Sequence, residues 1–214
     1  MKAITKQKTL DEIKQQLQGF DRIYVAGCGT CATMTKTGGI EEVSAMKEHL
    51  QELGKLTTGS IVIPTACDEL TDVAIKDNGE AIQNSDCILV MACALGVHRL
   101  SLHTDVPVIP ALDTLFIGVE DSTSHFHEVC VQCGQCVLGE TAGICPITRC
   151  HKGLLNGPCG GTNDGKCEVD SEKDCAWTLI YQRLEAQGRL DLMREYHPPK
   201  NYQVMPRPRT IRLE

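Results

Sequence analysis

Ile23-Tyr24-Val25-Ala26-Gly27-Cys28-Gly29-Thr30-Cys31 decides how the first half of this 214-residue chain is read. Its apolar opening reads as a short buried strand, and the strand runs straight into a small residue and a cysteine. The same ending recurs twice. Ile61-Val62-Ile63 leads to Thr65-Ala66-Cys67, and Ile88-Leu89-Val90-Met91 leads to Ala92-Cys93. Val106-Pro107-Val108-Ile109 and Leu115-Phe116-Ile117-Gly118-Val119 read as further strands. Helical stretches separate the earlier strands. Thr9-Leu10-Asp11-Glu12 is a capping box, after which Leu10, Ile13 and Leu17 keep helical spacing up to Gly19. Ile40, Val43, Met46, Leu50 and Leu53 form a second apolar stripe, closed by Gly54. Strands without polar alternation, set between helices, predict an α/β fold on a parallel sheet covered on both faces.

Parallel strands joined by same-handed crossovers place their C-terminal ends on one edge of the sheet, where open α/β sheets bind ligands. Cys28 and Cys31 are therefore expected to face Cys67 and Cys93 across one crevice. Four convergent thiolates make a complete cluster site. A single cysteine is more often a small buried hydrophobe, and Cys87, at the start of its strand, reads that way. Gly27-Cys28-Gly29-Thr30-Cys31-Ala32 also fits the G-x-G-x-x-A dinucleotide loop. The helix that should begin inside that loop waits until about Gly39, and no acidic residue ends the second strand.

From about residue 121 the texture changes. Asp121-Ser122-Thr123-Ser124 reads as a linker or loop, after which Cys130, Cys133, Cys136, Cys145, Cys150, Cys159, Cys167 and Cys175 follow among many glycines. Closely spaced thiolates suit zinc or iron–sulfur clusters. The C-x2-C-x2-C opening followed by a Cys-Pro is similar to ferredoxin spacing, with a longer interval before the proline. Cys130, Cys133 and Cys136 are expected to share a centre; their fourth ligand comes from later in the run and stays open. Apolar residues here are too few for a conventional core, so metal would act as the staple. His125-x-His127 is the best histidine candidate for a ligand. Trp177, Ile180, Tyr181 and Leu184 mark a final helix, and the tail from His197 is rich in proline and arginine (207, 209, 212). It is expected to be an extended arm lying along a partner.

Composition narrows the classes further. Thirteen cysteines is an odd count, and no apolar signal region follows the N-terminal lysines, so a reduced, cytoplasmic chain is expected rather than a disulfide framework. The longest apolar run, Cys87 to Val97, is shorter than the roughly 18 residues of a membrane span. A formal charge of −7 with 4% aromatic residues argues against a nucleic-acid module. No phosphate loop and no Ser/His/Asp or Cys/His nucleophile set stands out.

Several segments carry a family resemblance: Cys130-Val-Gln-Cys133-Gly-Gln-Cys136, Gly143-Ile-Cys145-Pro-Ile-Thr-Arg-Cys150, Asn156-Gly-Pro-Cys159-Gly-Gly, Asp164-Gly-Lys-Cys167-Glu-Val and Asp174-Cys175-Ala-Trp-Thr-Leu-Ile-Tyr-Gln-Arg-Leu184. They resemble the cysteine-rich domain found at the C-terminus of methylenetetrahydrofolate reductases. With the strand-end cysteines, the whole chain looks like the small iron–sulfur subunit of the two-subunit reductase of acetogenic anaerobes, which serves the Wood–Ljungdahl pathway. The resemblance implies a non-catalytic electron-transfer subunit carrying three [4Fe–4S] clusters, with zinc open for one site. It also implies a TIM-barrel flavoprotein partner that binds FMN or FAD and folate, and further electron-donor subunits. Two domains are expected: an α/β domain over 1–120 with the strand-end site, and a cysteine-rich domain over 121–214 with a C-terminal helix and tail. Two other classes compete: a zinc-stapled scaffold subunit and a freestanding NAD-linked oxidoreductase.

Overall fold

The computed structural model describes residues 2–204 and 207–209. In chain order the elements are β1 (Lys2–Gln7), α1 (Leu10–Gln16), β2 (Arg22–Cys28), α2 (Cys31–Met34), α3 (Ile40–Glu52), β3 (Leu56–Ile63), α4 (Leu70–Asp77), α5 (Gly79–Gln83), β4 (Cys87–Met91) and α6 (Ala94–Ser101). There follow β5 (Val108–Pro110), β6 (Leu112–Ser122), β7 (His125–Glu128), α7 (Pro146–Arg149) and α8 (Ala176–Ala186). The chain divides into two compact units, 1–126 and 127–214.

The first unit is built on a four-stranded sheet of order β3-β2-β4-β5, parallel throughout. β2 and β4 lie in its middle and are buried on both faces; every residue of Cys87–Met91 is enclosed. That explains why these strands are uniformly apolar. Ile13, Leu17, Val43, Met46 and Leu50, from α1, its C-cap and α3, join Ile23, Val25 and Leu89 in one core. The helix ends follow their sequence signals. Thr9 accepts from the Glu12 amide at 3.2 Å and Glu12 accepts from the Thr9 amide at 2.8 Å. Gly19 and Gly54, with φ of 84° and 73°, turn the chain out of α1 and α3.

One expectation needs correction. Leu115–Val119 does not extend the parallel sheet. It lies in β6, which pairs antiparallel with β1 and stands between β1 and β7 in a separate three-stranded sheet. β1 has no separate sequence signal, because Lys-Ala-Ile-Thr-Lys-Gln is short and only Ala3 and Ile4 are apolar. Asp121-Ser122 is likewise no linker: it completes β6, and the chain reverses at Ser124, whose φ is 62°. The expected boundary after residue 120 thus falls inside a hairpin.

The second unit holds little regular structure besides α8. Its core is Ala142, Trp177, Ile180 and Leu184, with Ile144, Cys150, Cys175 and Leu192 against it. Tyr181, expected on the same face, is exposed. No helix among the described residues is long and apolar enough to cross a membrane.

Candidate metal centres

The first centre follows from strand order. From β2 the chain goes to β3 on one side and then to β4 on the other, so the crevice at the carboxyl ends of β2 and β4 is the topological switch point. Cys28 ends β2, Cys31 opens α2, Cys67 lies in the turn after β3, and Cys93 caps α6. All thirteen cysteines are free thiols. Cys28 and Cys93 are buried, Cys31 is half-buried, and Cys67 is exposed at the mouth.

The other three cysteines bear on Cys67. Burial pushes the Cys67 thiol up, and negative charge on Cys93, Cys28 and Cys31 would push it further. A cation that neutralises neighbouring thiolates removes this penalty, which is the electrostatic condition of a metal site. The small residue before each cysteine has a packing reason. A Cβ on Gly27 would lie 2.5 Å from the Gly38 carbonyl oxygen, and one on Gly96 would press on Ala92 and Ala66 at 2.9 and 3.0 Å. The crevice floor is therefore backbone against backbone.

β1, unremarked in the sequence, braces this site. Thr5 Oγ1 lies 2.6 Å from Thr37 Oγ1 and 2.9 Å from Thr35 Oγ1, and Gln7 donates to the Thr37 carbonyl at 3.0 Å. Cys28 Sγ lies 3.3 Å from Thr30 Oγ1. The dinucleotide reading fares poorly on geometry. The Gly29 amide donates to the Ile63 carbonyl at 2.8 Å and the Cys28 amide to Gly38 at 2.9 Å. These amides are spent on backbone partners, and the long helix starts only at Ile40.

In the second unit six of the eight cysteines line two cavities. Cys130 and Cys145 line one cavity with Leu138, Ile144 and Arg149. Gln132 and Gly134, one in each two-residue spacer, take left-handed φ of 51° and 76°, which turns Cys130-x2-Cys133-x2-Cys136 into a tight loop. The Gln132 amide lies 3.4 Å from Cys130 Sγ, and the Thr148 hydroxyl donates to Cys145 Sγ at 3.6 Å. Cys150, Cys159, Cys167 and Cys175 all line a second cavity, of about 20 Å³.

The residues around that second cavity set its charge. Cys175 caps the N-terminus of α8. Burial works against its thiolate, but hydrogen bonds from the backbone and hydroxyl of Thr178, the Trp177 amide and the Thr162 hydroxyl outweigh it and pull the thiol below its ordinary value. Cys159 Sγ lies 3.3 Å from the Glu168 carboxylate, which is paired with Lys152, and Cys167 Sγ lies 3.6 Å from His151 Nδ1. Short antiparallel bridges at Asn163–Lys166 and Lys166–Asp174 hold these loops. Cys87 stands apart: it is fully buried, and burial pushes its thiol up to about 12.

The described part of the tail, expected as an arm along a partner, also contacts its own chain. Asn156 donates to the His197 carbonyl at 2.9 Å and accepts from its amide at 2.7 Å. Lys200 donates to the Gln135 carbonyl, the Asn201 amide to Gln135 Oε1 at 2.8 Å, and Arg209 to the Gln132 carbonyl at 3.3 Å. The turns at Gln132 and Gly134 leave carbonyls that no regular structure pairs, and the tail supplies donors for them. It is a strap across the Cys130–Cys136 loop of its own chain. Arg212 lies outside the described residues.

The donor chemistry fits a soft cation at each place, since each offers thiolates and hydroxyl or amide donors to sulfur. Comparison with known proteins gives one family match. Residues 109–203 match the model of the family described as methylene-tetrahydrofolate reductase C terminal. No curated protein matches the chain. The crystal structure of arylmalonate decarboxylase is similar over 48% of this chain and 46% of that one, at 18% identity and a TM-score of 0.32, too low to carry an argument.

Proposed function

We propose that this chain, whose residues 109–203 match the methylenetetrahydrofolate reductase C-terminal family, is the iron–sulfur electron-transfer subunit of such a reductase. The observation that supports this reading is the placement of Cys28, Cys31, Cys67 and Cys93 at the carboxyl ends of the adjacent strands β2, β3 and β4, with charge on the other three bearing on Cys67. In this reading twelve of the thirteen thiols hold metal centres, and Cys87 is core. Bound iron–sulfur clusters would accept and release electrons one at a time at these sites.

The chain's own residues prepare the places. The burial of Cys28 and Cys93 excludes water, and the exposed Cys67 gives a redox partner its closest approach. The Gln132 amide, the Thr148 hydroxyl and the donors around Cys175 stabilise thiolate charge. The partner in this reading is a TIM-barrel flavoprotein whose FMN or FAD gathers two electrons and reduces 5,10-methylenetetrahydrofolate to 5-methyltetrahydrofolate. No acid–base or nucleophile set in this chain would carry that step.

A second reading concerns a single set. Cys150, Cys159, Cys167 and Cys175 line one cavity, and four thiolates can also close on a structural zinc. A zinc staple there is compatible with electron transfer through the other sets. If all three sets held zinc, the chain would be a scaffold.

The test is reconstitution. The chain purified without oxygen, combined with the flavoprotein subunit and a reduced viologen, is expected to support methylenetetrahydrofolate reduction; the chain alone is expected to show none. Turnover by the isolated chain would overturn the proposal.

A further inference from the structure

The thiols are not the only convergent ligands. At the β6–β7 turn, one continuous hairpin carries Asp121, His125 and His127, and their candidate ligand atoms lie within 4.8 Å of one another. The arrangement follows from strand geometry. His125 and His127 are two apart on β7, so both imidazoles project from one face of the strand. Asp121 comes from the end of β6 across the turn, with its Oδ1 2.5 Å from His125 Nδ1. The turn itself is held by Ser124, whose amide donates to Glu120 Oε1 at 3.1 Å.

We propose that Asp121, His125 and His127 form a separate binding site for a divalent transition-metal ion. Two imidazoles and one carboxylate are a borderline donor set that suits zinc, nickel or cobalt; calcium and magnesium prefer oxygen alone. In a tetrahedral site with metal–ligand bonds of about 2.0–2.1 Å, neighbouring ligand atoms stand roughly 3.3 Å apart. The three ligand atoms, within 4.8 Å of one another, lie in the range from which such a site closes. The ion would replace the present His125–Asp121 contact. Asp121 and His125 are exposed and His127 half-buried, so the ion can reach the site from solvent and keeps at least one water or exogenous ligand. Its donors are nitrogen and oxygen rather than sulfur, but His127 also lines the cavity of Cys130 and Cys145, so the thiolate sites are filled before the site is probed.

The experiment uses the full chain, purified anaerobically with its thiolate sites filled, and zinc as the probe. Equilibrium dialysis is expected to show one additional zinc per chain. X-ray absorption of that zinc should give nitrogen and oxygen neighbours at about 2.0–2.1 Å with an imidazole pattern, and no sulfur near about 2.3 Å. His125→Ala and His127→Ala should each weaken this zinc at least tenfold while leaving the thiolate-bound metal unchanged. Should either alanine variant lose thiolate-bound metal, His125→Gln and His127→Gln supply the same comparison with the side-chain bulk kept. Sulfur around the added zinc, no added zinc in the unmodified chain, or equal binding in the histidine variants would overturn the proposal.

Discussion

Gly38 lies so close to Met91 that a Cβ on it would fall 2.0 Å from the Met91 carbonyl oxygen. Its own carbonyl accepts from the Cys28 amide at 2.9 Å. One residue thus joins the loop carrying Cys31 to the strand ends that carry Cys28 and Cys93. Backbone cannot yield as a flexible side chain does, so Gly38→Ala is expected to cost about 2–3 kcal/mol or more. Thermal unfolding together with metal content should show the variant losing both stability and the metal of the first centre.

Cys67 and Cys87 offer a matched pair. Cys67→Ser should remove the metal of one centre only, whereas Cys87→Ala should leave all metal in place and cost about 1 kcal/mol for the lost packing. Metal analysis and denaturant midpoints on the two purified variants separate a ligand from a core thiol.

Tyr24 gives a pH signature. Its hydroxyl is buried with no hydrogen-bond partner among the described residues, and burial pushes its pKa up to about 12. The unfolded chain ionises this phenol near 10, so its stabilising contribution is complete below pH 10 and is lost as pH rises from 10 to 12. Tyr24→Phe should be neutral or slightly stabilising at pH 8, where an unpaired hydroxyl is removed. Its advantage should widen by pH 11. Denaturant midpoints at both values for the two chains provide the check.

The strap predicts a kinetic effect. Deleting residues 198–214 removes Lys200, Asn201 and Arg209 from the Gln132 and Gln135 carbonyls. Chelators should then strip metal from the Cys130–Cys136 loop several-fold faster, with the first centre unaffected. Equal release rates would reduce the strap to a passive tail.

Much of this was legible in the residues, for identifiable reasons. Strand-end cysteines stand out because the central strands are uniformly apolar and the chain then breaks into Ala or Gly before each thiol. Capping at Thr9 and the turns at Gly19 and Gly54 are local chemistry, which sequence carries well. β1 escaped because its partner, β6, lies more than a hundred residues away and neither strand alternates cleanly. The tail's contacts with its own chain were hidden for a related reason. Proline-rich composition describes an isolated segment, whereas unpaired carbonyls at Gln132 and Gln135 gave this one a place to bind. The grouping of the eight later cysteines was equally hidden, since spacing alone does not tell which loops fold together.

Metal content of the anaerobically purified chain tests the central claim most directly. Iron, acid-labile sulfide and zinc should be measured on one sample, together with its visible spectrum. The account predicts a brown protein with about eight to twelve iron and matching sulfide per chain, the lower figure accompanied by one zinc. A colourless chain holding zinc without sulfide would contradict electron transfer and leave a scaffold in its place.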